Sequence, residues 1–214
     1  MRREMLEHIA LHTRAVSEQI GKDELAQPVV QAMLGVLRHE FVPHEIRRFA
    51  YFDSPLPIGF GKTMSQPFIV ALMTDLLDVN PDDRILEVGT GLGYHTAVLA
   101  KLADTVYSIE IIEELAQQAN KRLARQACEN VKLRIGDGSR GWPDEAPFDK
   151  IMIAAAPELI PTALLAQLKP GGIMVVPAGI EDAQQLMVVR KSASGDLSTQ
   201  EVLPVRFSAL EISH

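Results

Sequence analysis

The sequence predicts an α/β protein with a doubly wound, mostly parallel sheet, an antiparallel edge at its C-terminal end and a helical region in front. Three observations carry this reading. Short apolar runs alternate with helix-period segments from residue 84 to residue 176, the pattern of strand–helix–strand units. Residues 84–110 read as strand, glycine loop, helix and second strand, with Glu110 at the tip of that second strand. The last β-rich runs, 185–190 and 202–207, flank Ser192-Ala-Ser-Gly195-Asp196, a hairpin signal.

Met5, Ile9, Val16 and Ile20 fall at helical spacing, so residues 1–20 are expected to form an amphipathic helix. Asp23 is placed to cap a second helix running to about residue 38, with Val29, Val30, Met33, Leu34 and Leu37 on its apolar side. Phe41-Val-Pro43 closes this pair, and residues 44–51 suit a further short helix. Residues 1–52 are therefore read as a helical region packed on a core of residues 53–214, the whole forming one unit. That region either caps the core or helps to shape a substrate cleft.

Three prolines and two glycines in residues 53–67 forbid regular helix and mark a lid or wall beside the core. Pro67 opens a helix to about residue 77, and Ser65 falls where an N-cap would stand. Strand 84–88 is short and apolar, fit for burial on both faces. A helix over 94–103, a strand over 105–109, a helix over 112–126 and a strand over 131–135 follow. Gly136-Asp137-Gly138 then leaves a strand end, where ligands bind in open α/β sheets, although Asp and Gly also dominate plain turns. Strand 151–153 leads to Ala154-Ala-Ala156, small residues that suit either a ligand or close helix packing. Helix 162–168 is stopped by Lys169-Pro-Gly-Gly172, and a fifth strand spans 173–176.

The chain has 214 residues, 47% of them hydrophobic, which is enough for one sizeable core. A net charge of −7 does not suggest a nucleic-acid footprint. The sole cysteine, Cys128, excludes an intramolecular disulfide and fits a reducing compartment. Acidic residues interrupt the first apolar stretch, and no run approaches the roughly 18 apolar residues of a membrane span, so a cytoplasmic protein is expected. His8 and His12 are four apart, but spacing supplies no third ligand. His39 and His44 are separated by Pro43, and His95 and His214 are solitary. No metal is expected.

The glycine loop points to a ligand. Its glycines let the backbone turn tightly and approach a small molecule. Glu110, about 20 positions on, suits two ribose hydroxyls. The dinucleotide pattern Gly-x-Gly-x-x-Gly fails because Tyr94 holds the last position. Glu87-Val-Gly89-Thr-Gly91-Leu-Gly93 instead resembles the first motif of S-adenosylmethionine-dependent methyltransferases of class I, with their Rossmann-like sheet. A cofactor with an amino-acid tail would offer its ammonium to Glu87, directly or through water. A glycine-rich turn in some other α/β protein is the alternative.

Asp53-Ser-Pro-Leu-Pro-Ile-Gly59, Thr63-Met-Ser-Gln-Pro67, the glycine motif through Tyr94, Gly136-Asp-Gly138, Ala146-Pro-Phe-Asp149, Ala155-Ala-Pro157, Leu168-Lys-Pro-Gly-Gly172 and Val205-Arg-Phe207 occur in that order. Together they closely resemble protein-L-isoaspartate O-methyltransferases over nearly the whole length. The resemblance implies a monomeric repair enzyme that methylates the free α-carboxyl of L-isoaspartyl residues in damaged proteins and peptides. The ester then cyclises to a succinimide. By the same resemblance Ser65 is the active-site serine. Lys62, Thr63 and Met64 line the cofactor beside it, and Glu87, Gly89 and Gly91 form the glycine-loop site. Glu110 takes the ribose, Asp137 and Gly138 take the adenine end, and Gln185 stands near the cofactor.

The sequence departs from the family pattern at Met64, Leu92, Ala154 and Ser208-Ala209. Leu92, Ala154 and the altered tail leave open a methyltransferase acting on another peptide or small molecule; a cofactor-binding module without catalysis is a third reading, against which intact Ser65, Glu87, Glu110 and Asp137 argue. A carboxylate nucleophile with a pKa of roughly 4 is already ionised at neutral pH, so the chemistry needs no general base. Ser65 is then expected to orient the acceptor by hydrogen bonding.

Overall fold

Strand order explains where a ligand can enter. In the computed structural model, which describes residues 1–213, seven strands form one sheet in the order β5-β4-β3-β6-β7-β8-β9. They are β3 (Arg84–Val88), β4 (Thr105–Glu110), β5 (Val131–Ile135), β6 (Phe148–Ile153), β7 (Leu168–Ala178), β8 (Gln184–Lys191) and β9 (Leu197–Val205). The strands from β5 to β7 run parallel, and β8 and β9 turn antiparallel at the edge. The chain winds outward from β3 to β4 and β5, then returns to the other side of β3 with β6. The β3/β6 boundary is thus the switch point, where helices leave on opposite faces and a crevice opens at the strand ends. His214, one of the solitary histidines, lies outside the described residues.

Both faces of the sheet are covered. Ile85, Val106, Met152 and Val175 point into one core, and Leu86, Val88, Ile109, Ile151, Ile153 and Met174 point into the other. This two-sided burial is why the parallel strands read as continuous apolar runs. The first core is the larger. Helices α4 (Pro67–Leu76), α5 (Tyr94–Ala100) and α6 (Glu113–Arg125) pack there. So do α1 (Arg2–Ala15), α2 (Ser17–Ile20) and α3 (Gln27–Gly35) of the N-terminal region. Met5, Ile9, Val29, Met33 and Phe41 belong to the same apolar cluster as Leu72 and Tyr94, so the helical opening shares the core of the sheet. A short α7 (Thr162–Gln167) covers the other face through Leu164.

Local differences from the sequence reading have specific causes. The first helix breaks at Val16, whose φ of −112° and ψ of 17° separate α1 from α2. Asp23 does not cap α3. That helix starts at Gln27-Pro28, and Asp75 on α4 accepts the N–H of Ala26 at 2.7 Å. Residues 53–67 contain a two-stranded hairpin, β1 (Leu56–Gly59) and β2 (Lys62–Met64), which pair antiparallel. The strand over 173–176 extends back to Leu168, with a register irregularity between Phe148 and Lys150 on its neighbour. No helix among the described residues is long and apolar enough to cross a membrane.

Candidate active site

The glycine loop leaves β3 at the switch point. The N–H groups of Gly89 and Thr90 donate to the carbonyl of Ile109, which pins the loop to the adjacent strand at 2.8 and 3.3 Å. Gly91 has φ +57°, and a Cβ there would stand 3.3 Å from Ile58 of β1. A side chain would therefore fill the space between loop and hairpin. The Gly91 N–H donates to Glu110 Oε2 at 2.7 Å, and the Ile112 N–H donates to Glu110 Oε1 at 3.0 Å. Burial pushes the Glu110 carboxyl up, while these amides and the positive charge of Lys62 oppose the rise.

Glu87 lies one layer deeper. It is paired in register with Ser108 across β3 and β4, and it is 0% exposed. Its Oε2 accepts from Thr96 and Ser108, each at 2.5 Å, but its Oε1 has no partner among the described residues. Burial pushes this carboxyl up to about 7, against the hydrogen bonds from Ser108 and Thr96 and with the help of the Glu110 charge. A buried carboxylate oxygen without a donor is costly, so this atom offers an open acceptor beneath the loop.

Above the loop an open cleft lies between the hairpin, the loop and the C-terminal tail. Ile58, Lys62 and Thr63 of the hairpin form one wall, and Gly89, Gly91, Glu110 and Leu115 form the floor. Ala154, Gly138 and the tail from Ser208 to Glu211 complete it. The tail is held by backbone bonds on both sides of Ala156 and by the N–H of Ser213, which donates to Asp137 Oδ2 at 3.0 Å. Lys62 and Glu211 form an ion pair at 2.5 Å that joins hairpin to tail. Burial disfavours the ionised Asp137, yet the side chain and amide of Ser139, the amide of Ser213 and the charge of Arg140 hold its carboxyl below the ordinary range. Gly138 is demanded by packing, because a Cβ there would meet Val88 at 2.3 Å.

A second hollow adjoins the first and shares Thr63, Ala154 and Ser208 with it. Ser65, Gln66, Ile69 and the run from Pro204 to Phe207 line the rest. Ser65 is not the cap of α4. Gln66 occupies that position, and Asp53 Oδ1 accepts the Phe68 N–H at 2.8 Å in its place. The Ser65 hydroxyl makes no hydrogen bond among the described residues, so it is available to a ligand. Among the described residues, those lining the hollow include no Asp, Glu, His, Lys or Cys, and Arg206 is the one charged side chain.

Of the residues singled out in the sequence, Lys62, Thr63, Gly89, Gly91, Glu110 and Gly138 line the first cleft, and Thr63 and Ser65 line the second. Met64 is buried opposite Leu56, and Glu87 and Asp137 contribute from behind the lining. Gln185 lies in β8 between Ala178 and Pro204 and lines neither cleft. Its neighbour Gln184 is the buried one. It exchanges two hydrogen bonds with the backbone of Phe207, at 2.7 and 3.1 Å, and so fixes one wall of the second hollow. Sequence reasoning missed Gln184, Ile58 and the tail residues Leu210 and Glu211. Among the described residues no group of three or more His, Cys, Asp or Glu side chains is arranged to hold a metal ion.

Comparison with known proteins gives a consistent result. A protein-L-isoaspartate O-methyltransferase of Polaromonas sp. is 58% identical over 211 residues, covering 99% of this chain and 89% of that protein. A relative of the same name from Nitrosococcus oceani is 52% identical over 212 residues, covering 99% of this chain and 97% of its own. A solved protein-L-isoaspartate O-methyltransferase superimposes with a TM-score of 0.81 at 26% identity. It matches 98% of this chain, which spans only 65% of that longer one. A Plasmodium falciparum protein solved in complex with S-adenosyl-L-homocysteine has a TM-score of 0.76 at 24% identity, a likeness of fold, over 87% of this chain and 91% of that one. The model of the protein-L-isoaspartate(D-aspartate) O-methyltransferase family matches residues 13–212, all but most of α1 and the last two residues, and the chain belongs to that family.

Proposed function

We propose that this protein transfers a methyl group from S-adenosyl-L-methionine to the free α-carboxyl of L-isoaspartyl residues in damaged proteins and peptides. One observation carries the reading: a nucleotide-type cleft opens into a hollow whose described residues offer a free serine hydroxyl and an arginine but no general base. An alcohol, amine or ring carbon acceptor would need help to lose a proton. A carboxylate needs none, and Arg206 suits its charge.

The donor fits the first cleft by its chemistry. Glu110 ends β4 where ribose hydroxyls would lie, and its backbone partners keep the carboxylate oriented. Glu87 Oε1 is a buried acceptor in need of a donor, as an ammonium or its bridging water would be. Gly89 and Gly91 admit close backbone approach. Asp137 and Gly138 bound the adenine end, and Lys62, Thr63 and Met64 carry the hairpin wall. Gln185 is assigned no contact in this reading.

When bound, the donor supplies a sulfonium-activated methyl group. The protein's part is then positioning. Ser65 donates to one oxygen of the acceptor carboxylate and Arg206 attracts its charge, so the other oxygen faces the shared wall of Thr63, Ala154 and Ser208. Alignment of this kind is worth about 7–11 kcal/mol. Exclusion of water from that wall by the bound ligands favours a step in which charge is neutralised. The reading takes the protein to act as a cytoplasmic monomer on polypeptide substrates, without a nucleic-acid partner, in keeping with a net charge of −7.

The test is methyl transfer from labelled S-adenosyl-L-methionine to two peptides that differ only in carrying L-isoaspartate or L-aspartate. Base-labile label in the first alone is the expected result. Equal labelling, or none with donor binding intact, overturns the proposal.

A further inference from the structure

Arg38 is the largest side chain that the fold buries completely, at 0% exposure. Among the described residues no carboxylate lies within ion-pair distance of it. Its Nε donates to the carbonyl of Ala50 and its Nη2 to the carbonyl of Ser65, both at 2.8 Å. Its guanidinium lies over the ring of Tyr94, 4.6 Å from the centroid. Nη1 has no partner. An always-charged group buried in this way costs more than an apolar side chain of similar volume. Apolar packing alone gives no reason to keep it.

Its contacts supply the reason. Tyr94 is the first residue of α5 and follows Gly93 directly, so its ring is fixed to the donor loop. Ser65 lines the acceptor hollow. The segment after Ser65 is held from the other side by Asp53, which accepts from the Gln66 side chain at 3.1 Å and from the Phe68 N–H at 2.8 Å. Arg38 is thus a single rigid fork with one side on the donor loop and one hydrogen bond on the acceptor segment. A planar guanidinium can stack and donate at fixed angles together, which a lysine ammonium cannot do.

We infer that Arg38 is a positioning residue for the methyl transfer: stacked on Tyr94 and bonded to the Ser65 carbonyl, it sets the spacing between the donor loop and the acceptor serine. It lines neither cleft. The inference rests on the function proposed above, and it gives the N-terminal helical region a part in the site beyond covering the core.

Arg38→Met and Arg38→Lys test it, with the unaltered protein assayed alongside on the isoaspartyl peptide. Binding of S-adenosyl-L-homocysteine, the melting curve, kcat and KM are measured for each. Because a displacement of about 1 Å at a reacting centre can cost 100-fold, Arg38→Met is expected to lower kcat by about 10- to 100-fold. Its product affinity should stay within about twofold and its melting should remain cooperative, with the loss in kcat rather than in KM. Arg38→Lys should recover part of the loss. An unchanged kcat overturns the inference, and so does a loss that follows the folded fraction or an equal loss of product affinity. Should Arg38→Met fail to fold, the same criteria applied to Arg38→Lys decide. An inactive unaltered protein would instead remove the proposed function, so the two failures are distinct.

Discussion

Glu87→Gln separates a buried charge from its shape. Glutamine keeps a carbonyl oxygen to accept from Thr96 and Ser108, and it removes the titration. In the folded protein the Glu87 carboxyl is pushed from the ordinary 4.5 up to about 7, chiefly by complete burial. Between those two values the folded chain keeps a proton that the unfolded chain has released. The contribution of this group to stability is therefore complete below pH 4.5 and is lost as the pH rises through about 7. At ~1.36 kcal/mol per pH unit the loss amounts to ~3 kcal/mol. Urea unfolding of both proteins at about pH 5 and about pH 8 reads it directly. The stability difference, unaltered protein minus variant, should fall by ~3 kcal/mol across that interval. The other titrating groups cancel in the comparison. Parallel pH profiles for the two proteins would refute the assignment of a raised value to Glu87. The donor's ammonium should reverse the effect of burial, so its binding near neutral pH should release protons from the unaltered protein and fewer from the variant.

Three further perturbations address separate parts of the site. Ser65→Ala should lower kcat for the isoaspartyl peptide by roughly 10-fold and leave product affinity intact, since it removes one donor to the acceptor; unchanged turnover removes the role. Glu211→Gln should open the contact with Lys62 and speed product dissociation, read by stopped-flow, modestly because Glu211 is half exposed. An off-rate equal to that of the unaltered protein at low salt would show that the pair does not hold the tail. Gly138→Ala should lower the melting temperature, because the new methyl meets Val88 at 2.3 Å and overpacking costs about 1–3 kcal/mol. An unshifted melting curve would mean that the turn after β5 yields freely.

Much of the fold was legible because it is written in local pattern. Strands 84–88 and 131–135 coincide with the structure, since short β-branched runs between helix-period segments have few other uses. The glycine loop and Glu110 were legible for a related reason: positive φ and a strand-tip acid are local requirements. What escaped depends on partners distant in sequence. Ser65 and Asp23 both looked like caps. Yet the groups that satisfy those helix starts are Asp53 and Asp75, carried to them by tertiary packing. Gln185 came from the family resemblance alone, and nothing in the local pattern marks Gln184 as the glutamine that meets the tail. Arg38 entered the sequence reading only as the approximate end of the second helix, and nothing in its neighbourhood in sequence signals Tyr94 or Ser65.

The two clefts owe their common wall to the antiparallel edge. A sheet that stayed parallel would need a crossover after β7 and would lead the chain away from the switch point. Here the β8–β9 hairpin returns it, and the segment after β9 comes back across the strand ends to pair with Ala156. Ser208 therefore faces both clefts, as do Thr63 from the hairpin and Ala154 from the end of β6. Three remote stretches thus meet where a methyl group would pass between donor and acceptor. None of them brings an acid or a base to that wall. Chemistry that requires only alignment can be served at that wall by backbone and small side chains, and two buried charged groups stand one layer back: Glu87 beneath the glycine loop, and Arg38 between that loop and Ser65.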